Sequence, residues 1–125
     1  MKLKYKENYI KLIMSKDLKK EWEPFRFKAK SAKAGTQYHF NIPAFAIRNN
    51  YVKPEIEYTI YYAEVGTINI KNITLNDIKK LLKFDSTPAK TGTQYRLTIP
   101  TFLIKNNYFD PDKKVKYWIF MIEKK

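Results

Sequence analysis

Cysteine is absent from the chain, histidine occurs once and glycine only three times. The first absence excludes disulfide staples, thiolate zinc sites and thiol nucleophiles. With His39 as the lone imidazole and scattered acids, no catalytic triad or metal cluster can be assembled, and the glycines are too few for a phosphate-cradling loop. Asp110 and Asp112 could ligate a cation only with partners the sequence does not identify, and turn chemistry is the better reading of that pair. No enzyme, metal or cofactor is therefore expected. Long apolar runs are missing as well. Nowhere do the roughly 18 apolar residues of a membrane span occur together, and the lysine-rich start (Lys2, Lys4, Lys6, Lys11) lacks a signal-peptide apolar stretch. The expectation is a cytoplasmic protein with no membrane association.

What the chain has in excess is positive charge. Lys and Arg number 25 against 12 Asp and Glu, a formal net charge of +13 over 125 residues, with a pI near 9.8. A field of that sign attracts polyanions, although lysine also serves solubility. Its distribution is uneven: residues 1–34 hold 11 basic and 4 acidic residues, whereas residues 35–64 hold 2 and 3. Hydrophobic content of 44%, with 16% aromatic, is that of a folded domain.

The chain repeats itself. Gly35-Thr36-Gln37-Tyr38 recurs as Gly92-Thr93-Gln94-Tyr95, an offset of 57 (92 − 35). At the same offset Ile42-Pro43 matches Ile99-Pro100, Phe45 matches Phe102, Ile47 matches Ile104, Asn49-Asn50-Tyr51 matches Asn106-Asn107-Tyr108, and Pro54 matches Pro111. Upstream, Ile13, Asp17 and Lys19-Lys20 match Ile73, Asp77 and Lys79-Lys80 after a three-residue gap. Such a register marks an internal duplication. It divides the chain into units of about residues 9–66 and 67–125. No Gly/Ser/Pro-rich linker separates them, and a unit that small has a marginal core, so residues 1–125 read as one domain in which each half buries the other.

Within each unit, Tyr38 to Pro43 and Tyr95 to Pro100 alternate as half-buried strands. The proline then opens a short helix, Ala44–Asn50 or Thr101–Asn107, stopped by an Asn pair that tolerates the left-handed conformation. Tyr58, Ile60 and Tyr62, and likewise Val115, Tyr117 and Ile119, alternate as a further strand. Val65-Gly66 reads as a turn into Thr67–Ile73, making a central hairpin. Short helices are expected at Ser15–Trp22 and Leu75–Phe84. The class is α+β and β-rich, built from two β–α–β repeats with short helices.

The run from Arg96 through Leu-Thr-Ile-Pro to Val115 resembles the AbrB/MazE-like swapped-hairpin family of DNA-binding domains. Arg96, Thr98, Ile99, Pro100, Leu103, Phe109, Pro111 and Val115 fall on its pattern, and Ile42, Pro43, Val52 and Pro54 keep it in the first copy. The chain departs from that pattern where Tyr38 and Tyr95 replace a glycine and His39 replaces the arginine. In that family two chains interlock into one barrel that grips DNA. The resemblance implies a pseudo-two-fold swapped-hairpin barrel within one chain, a monomeric pseudo-dimer. It also implies transcriptional regulation or an architectural role on the nucleoid.

Two groups of residues are candidates for the binding surface. In Arg26-Phe-Lys-Ala-Lys-Ser-Ala-Lys33, an extended backbone puts Arg26, Lys28 and Lys30 on one side, a cationic ribbon suited to phosphates. The same pattern also describes an edge strand guarded by lysine against aggregation. By the family resemblance, Arg96 with Lys90 and Gln94 would face DNA, with Lys33, Gln37 and His39 as counterparts. RNA or single-stranded DNA is the neighbouring alternative, with bases stacked on tyrosine or tryptophan. A barrel docking an acidic protein partner is the alternative from a different class.

Overall fold

A computed structural model of the chain describes residues 24–124. The helix expected at Ser15–Trp22, and the upstream part of the first repeat, lie outside the described residues. The element order is β1 (Phe25–Ala29), β2 (Ala32–Ala34), β3 (Gln37–Ile42), α1 (Ala44–Arg48), β4 (Tyr58–Glu64), α2 (Leu75–Lys79), β5 (Leu82–Ser86), β6 (Ala89–Thr91), β7 (Gln94–Ile99), α3 (Thr101–Lys105) and β8 (Tyr117–Glu123). The fold is α+β and strand-rich. Two four-stranded antiparallel sheets, ordered β1-β8-β4-β5 and β2-β3-β7-β6, take the place of the closed barrel that the resemblance implied.

Alternation explains the packing. In the second sheet Phe40, Ile42, Leu97 and Ile99 point one way and are buried, and they meet Ile60, Tyr62, Ile119 and Met121 of the first sheet in one core. The first sheet is covered on its other face too. There Tyr61 and Phe120 pack with Ile78 of α2 and with Ile68, Ile70 and Ile73 of the preceding loop. Fully burying a ring such as that of Phe120 contributes about 1.5–3 kcal/mol.

That second cluster corrects two expectations. Thr67–Ile73 is not a strand. Gly66, at φ +99°, turns the chain, and Thr67 donates from its amide (3.1 Å) and its hydroxyl (2.6 Å) to the Glu64 carbonyl. The alternating isoleucines then serve one-sided packing without a ladder. The helix expected over Leu75–Phe84 stops at Lys79. Thr74 begins it with a capping box, its hydroxyl accepting from the Asp77 amide while the Asp77 carboxylate accepts from the Thr74 amide. Beyond it, Leu82–Ser86 alternates with Phe84 inward and pairs with β4, so ladder bonds and burial override helix content. The last strand starts at Tyr117 and not at Val115.

Other expectations stand in outline, with the two short helices ending at Arg48 and Lys105, ahead of the Asn pairs. Pro43 and Pro100 precede the two five-residue helices, and Asn50 and Asn107 hold φ of 61° and 64° just past them. After each, two amides return to one carbonyl, those of Tyr51 and Val52 to Ala46 and those of Tyr108 and Phe109 to Leu103. Gly35 and Gly92, at φ +63° and +64°, are the first residues of two-residue hairpin turns joining β2 to β3 and β6 to β7. In the central pairings, Phe40 stands opposite Leu97 and Tyr62 opposite Ile119. Both partners are separated by the same 57 residues as the sequence matches. The strand β1 pairs with β8, and β5 pairs with β4.

Candidate nucleic-acid interface

The expected cationic ribbon is broken into two strands. At Lys30-Ser31 the chain leaves the first sheet for the second, so Arg26 and Lys28 belong to β1 and Lys33 to β2. Phe27 points into the core, which turns Arg26 and Lys28 to the opposite, exposed face, about 7 Å apart along the strand. Opposite them on β8 are Phe120 and Trp118, and the Lys28 ammonium lies 5.4 Å from the Trp118 ring centre. That distance is within cation–π range.

The remaining candidates do not join this surface. Lys33 and Lys90 sit on the edge strands β2 and β6, opposite Tyr38 and Tyr95, with the Lys33 ammonium 5.6 Å from the Tyr38 ring. Gln37, His39, Gln94 and Arg96 share the face of the second sheet turned away from the core. Gln37 and Gln94 are exposed beside the hairpin turns, while Arg96 is half-buried. Eight of the nine sequence candidates are thus distributed over two opposite faces and two sheet edges, and Lys30 lies at the corner between β1 and β2.

His39 requires a correction, since only 4% of it is exposed and it is not presented to a ligand. Burial first, and the Arg96 guanidinium second, hold its pKa below the usual 6.5, against an opposing contribution from Asn41. Asn41 and Arg96 stand directly opposite one another across β3 and β7. The Asn41 Oδ1 acceptor and the Arg96 Nε donor are buried without hydrogen-bond partners among the described residues. Among the described residues this face is a polar layer with Arg96 as its one fixed cation, less basic than the side that carries β1.

The outer side of the first sheet holds cations that the sequence reading overlooked. Lys83 faces the same way from the far edge, opposite Tyr61, and α2 carries exposed Lys79 next to Lys80. Their signal in the sequence is the Lys-Lys pair with Lys83 close behind it, which a single helix over 75–84 would scatter around its circumference. The acids on this side are already engaged. Asp85 accepts from Lys124 Nζ at 2.8 Å and from Thr59 at 3.0 Å, and these bonds hold its carboxyl below the usual range. Asp77 is held low by its bonds to Thr74. Ion pairs among the described residues engage only Lys113 and Lys124 as cations.

No protein-family model, curated protein or solved structure matches the chain. Among the described residues no helix is long and apolar enough to cross a membrane.

Proposed function

We propose that the protein binds nucleic acid, double-stranded DNA foremost, through the outer side of its first sheet, as a transcriptional regulator or an architectural protein of the nucleoid. The observation that carries this reading is the edge strand β1. Its Arg26 and Lys28 are exposed side by side without an ion-pair partner among the described residues, and Trp118 lies under the lysine. Cations at strand spacing suit a row of phosphates, and the indole offers an adjoining π surface. Lys79, Lys80 and Lys83 extend the positive side beyond β1.

The strand pairing supports a swapped, duplicated organisation as the scaffold. The first long strand of each half pairs with the last strand of the other, β1 with β8 and β5 with β4. In this reading the chain is a monomeric pseudo-dimer whose halves grip DNA unequally, because Asp85 and Lys83 stand where the first half has Lys28 and Arg26.

The test is fluorescence anisotropy against random duplex DNA, single-stranded DNA and RNA over a range of salt. Duplex binding should weaken by at least about a thousandfold between roughly 50 and 200 mM salt if six or more phosphates are engaged. Replacing Arg26, Lys28 and Lys30 together by alanine should lower the log–log salt slope by about three. Failure to bind duplex near 50 mM salt refutes the DNA reading. Stronger binding to single strands moves the assignment to stacking on Trp118. Silence with every probe leaves the protein-interaction alternative, for which the exposed rings of Phe45, Tyr51, Phe102 and Tyr108 are the available surface.

A further inference from the structure

The two halves differ beside the ends of α1 and α3. In the first half Phe25 stacks against Tyr51, which stays exposed, with ring centres 5.6 Å apart and planes 10° from parallel. Leu82 occupies the position 57 residues after Phe25 and has no ring to stack on Tyr108. A cavity of about 290 Å³ opens beside Tyr108, lined by Leu82, Tyr108, Tyr62, Tyr117, Glu64 and Asp110 among others. The substitutions around it share a direction. Glu64, Lys113 and Tyr117 occupy positions whose counterparts at the 57-residue offset are the apolar Met121, Ile56 and Ile60, so the recess is polar where the duplicated positions are apolar.

We propose that this recess binds a planar cation, a guanidinium or amidinium group, stacked on Tyr108 with Asp110 as its counter-charge. The stacked Phe25 in the first half shows the shape that fits over such a tyrosine, a flat group in face-to-face contact. The electrostatics give the sign. Lys113 is bound to Glu64 at 2.8 Å, which leaves Asp110 without an ion-pair partner among the described residues and the recess with net negative charge. The Tyr117 phenol is raised by burial and then by Glu64 and Asp110, so both carboxylates act on the recess interior. Tyr62 is committed, since its hydroxyl donates to the Tyr108 carbonyl at 3.1 Å and fixes the floor. A planar delocalised cation meets an aromatic face and a carboxylate together better than an ammonium does.

The site lies at the β5 edge of the first sheet, opposite β1, and does not rest on the nucleic-acid reading. It is tested by NMR titration of the whole protein with benzamidine, and with its neutral isostere benzamide. Saturable shifts centred on Tyr108, Tyr117 and Asn107 are expected with benzamidine, and binding of benzamide at least about tenfold weaker. Leu82→Phe, which restores the ring found in the first half, should abolish the shifts. Asp110→Asn, an exposed change that spares the fold, should reduce benzamidine to the level of benzamide. N-acetylarginine amide compared with an arginine-containing tripeptide separates the two sources: preference for the tripeptide indicates a polypeptide ligand, and equal binding a free small cation. Equal binding of benzamide, undiminished binding to Leu82→Phe, or no shift with benzamidine would each overturn the proposal.

Discussion

The two sheets are made from strands of similar sequence character, yet the outer face of one carries an apolar cluster and that of the other a polar layer. In the first sheet the outward residues of the central strands are Tyr61 and Phe120, covered by α2 and the loop before it. In the second sheet the outward residues of the central strands are His39, Asn41, Arg96 and Thr98. The difference shows that period-two alternation identifies the core-facing side of a strand, while the chemistry of the other side depends on what the rest of the chain lays across it. The largest expected effect breaks this comparison directly. Phe120→Ala removes a ring with no exposed surface and should cost about 3–5 kcal/mol, whereas Thr98→Ala, on the outward face of the other sheet, should cost about 1 kcal/mol or less. Urea denaturation of both variants measures the contrast, and equal costs would mean that the outward face of the second sheet carries as much of the fold as the doubly covered one.

The hairpin turns sharpen the comparison between the halves. Gly35 and Gly92 hold the same left-handed conformation, and a Cβ at either would meet no atom within 4 Å. The penalty for alanine is therefore conformational alone, about 1 kcal/mol at each turn. Equal losses for Gly35→Ala and Gly92→Ala are the expected result in a chemical denaturation series. A much larger loss at one turn would show that its hairpin carries contacts the other lacks.

The repeated segments were the legible part of the chain, because there local signals agree with tertiary ones. Ile-Pro followed by Phe and an Asn pair specifies strand, proline-opened helix and left-handed stop twice over, and both copies form it. Thr67–Ile73 and Leu82–Ser86 were misread because short apolar stretches are locally ambiguous. Whether alternating isoleucines join a ladder or lie on a sheet, and whether Leu-Leu-Lys-Phe coils or extends, is decided by β4 pairing with β5. The candidate site was legible in residue type and not in placement. Arg26 and Lys28 do share an exposed face, but the corner at Lys30-Ser31 sends Lys33 to the other sheet, and nothing in Lys-Ser announces a corner. His39 was selected by alignment with a family arginine, and burial removes it from the surface.

The smallest expected effect concerns that histidine and isolates the polar layer of the second sheet. His39 is the sole imidazole, so its resonances are unambiguous. Its folded pKa lies below the ordinary 6.5, which means that between the two values the unfolded chain binds more protons than the native one. Stability therefore rises with pH through that window, levels off above about 6.5, and declines as the solution is acidified. Arg96→Met keeps the apolar stem, discards the unpaired Nε donor and removes the second of the two causes of the shift. The native midpoint of His39 should move up toward 6.5 without reaching it, since burial remains, and the loss of stability contributed by His39 on acidification should shrink with it. Stability near neutral pH should be unchanged or slightly higher, because a buried Nε without a partner among the described residues is a cost that the substitution removes. An unchanged midpoint in an NMR pH titration would assign the shift to burial alone and remove Arg96 from the account of this layer.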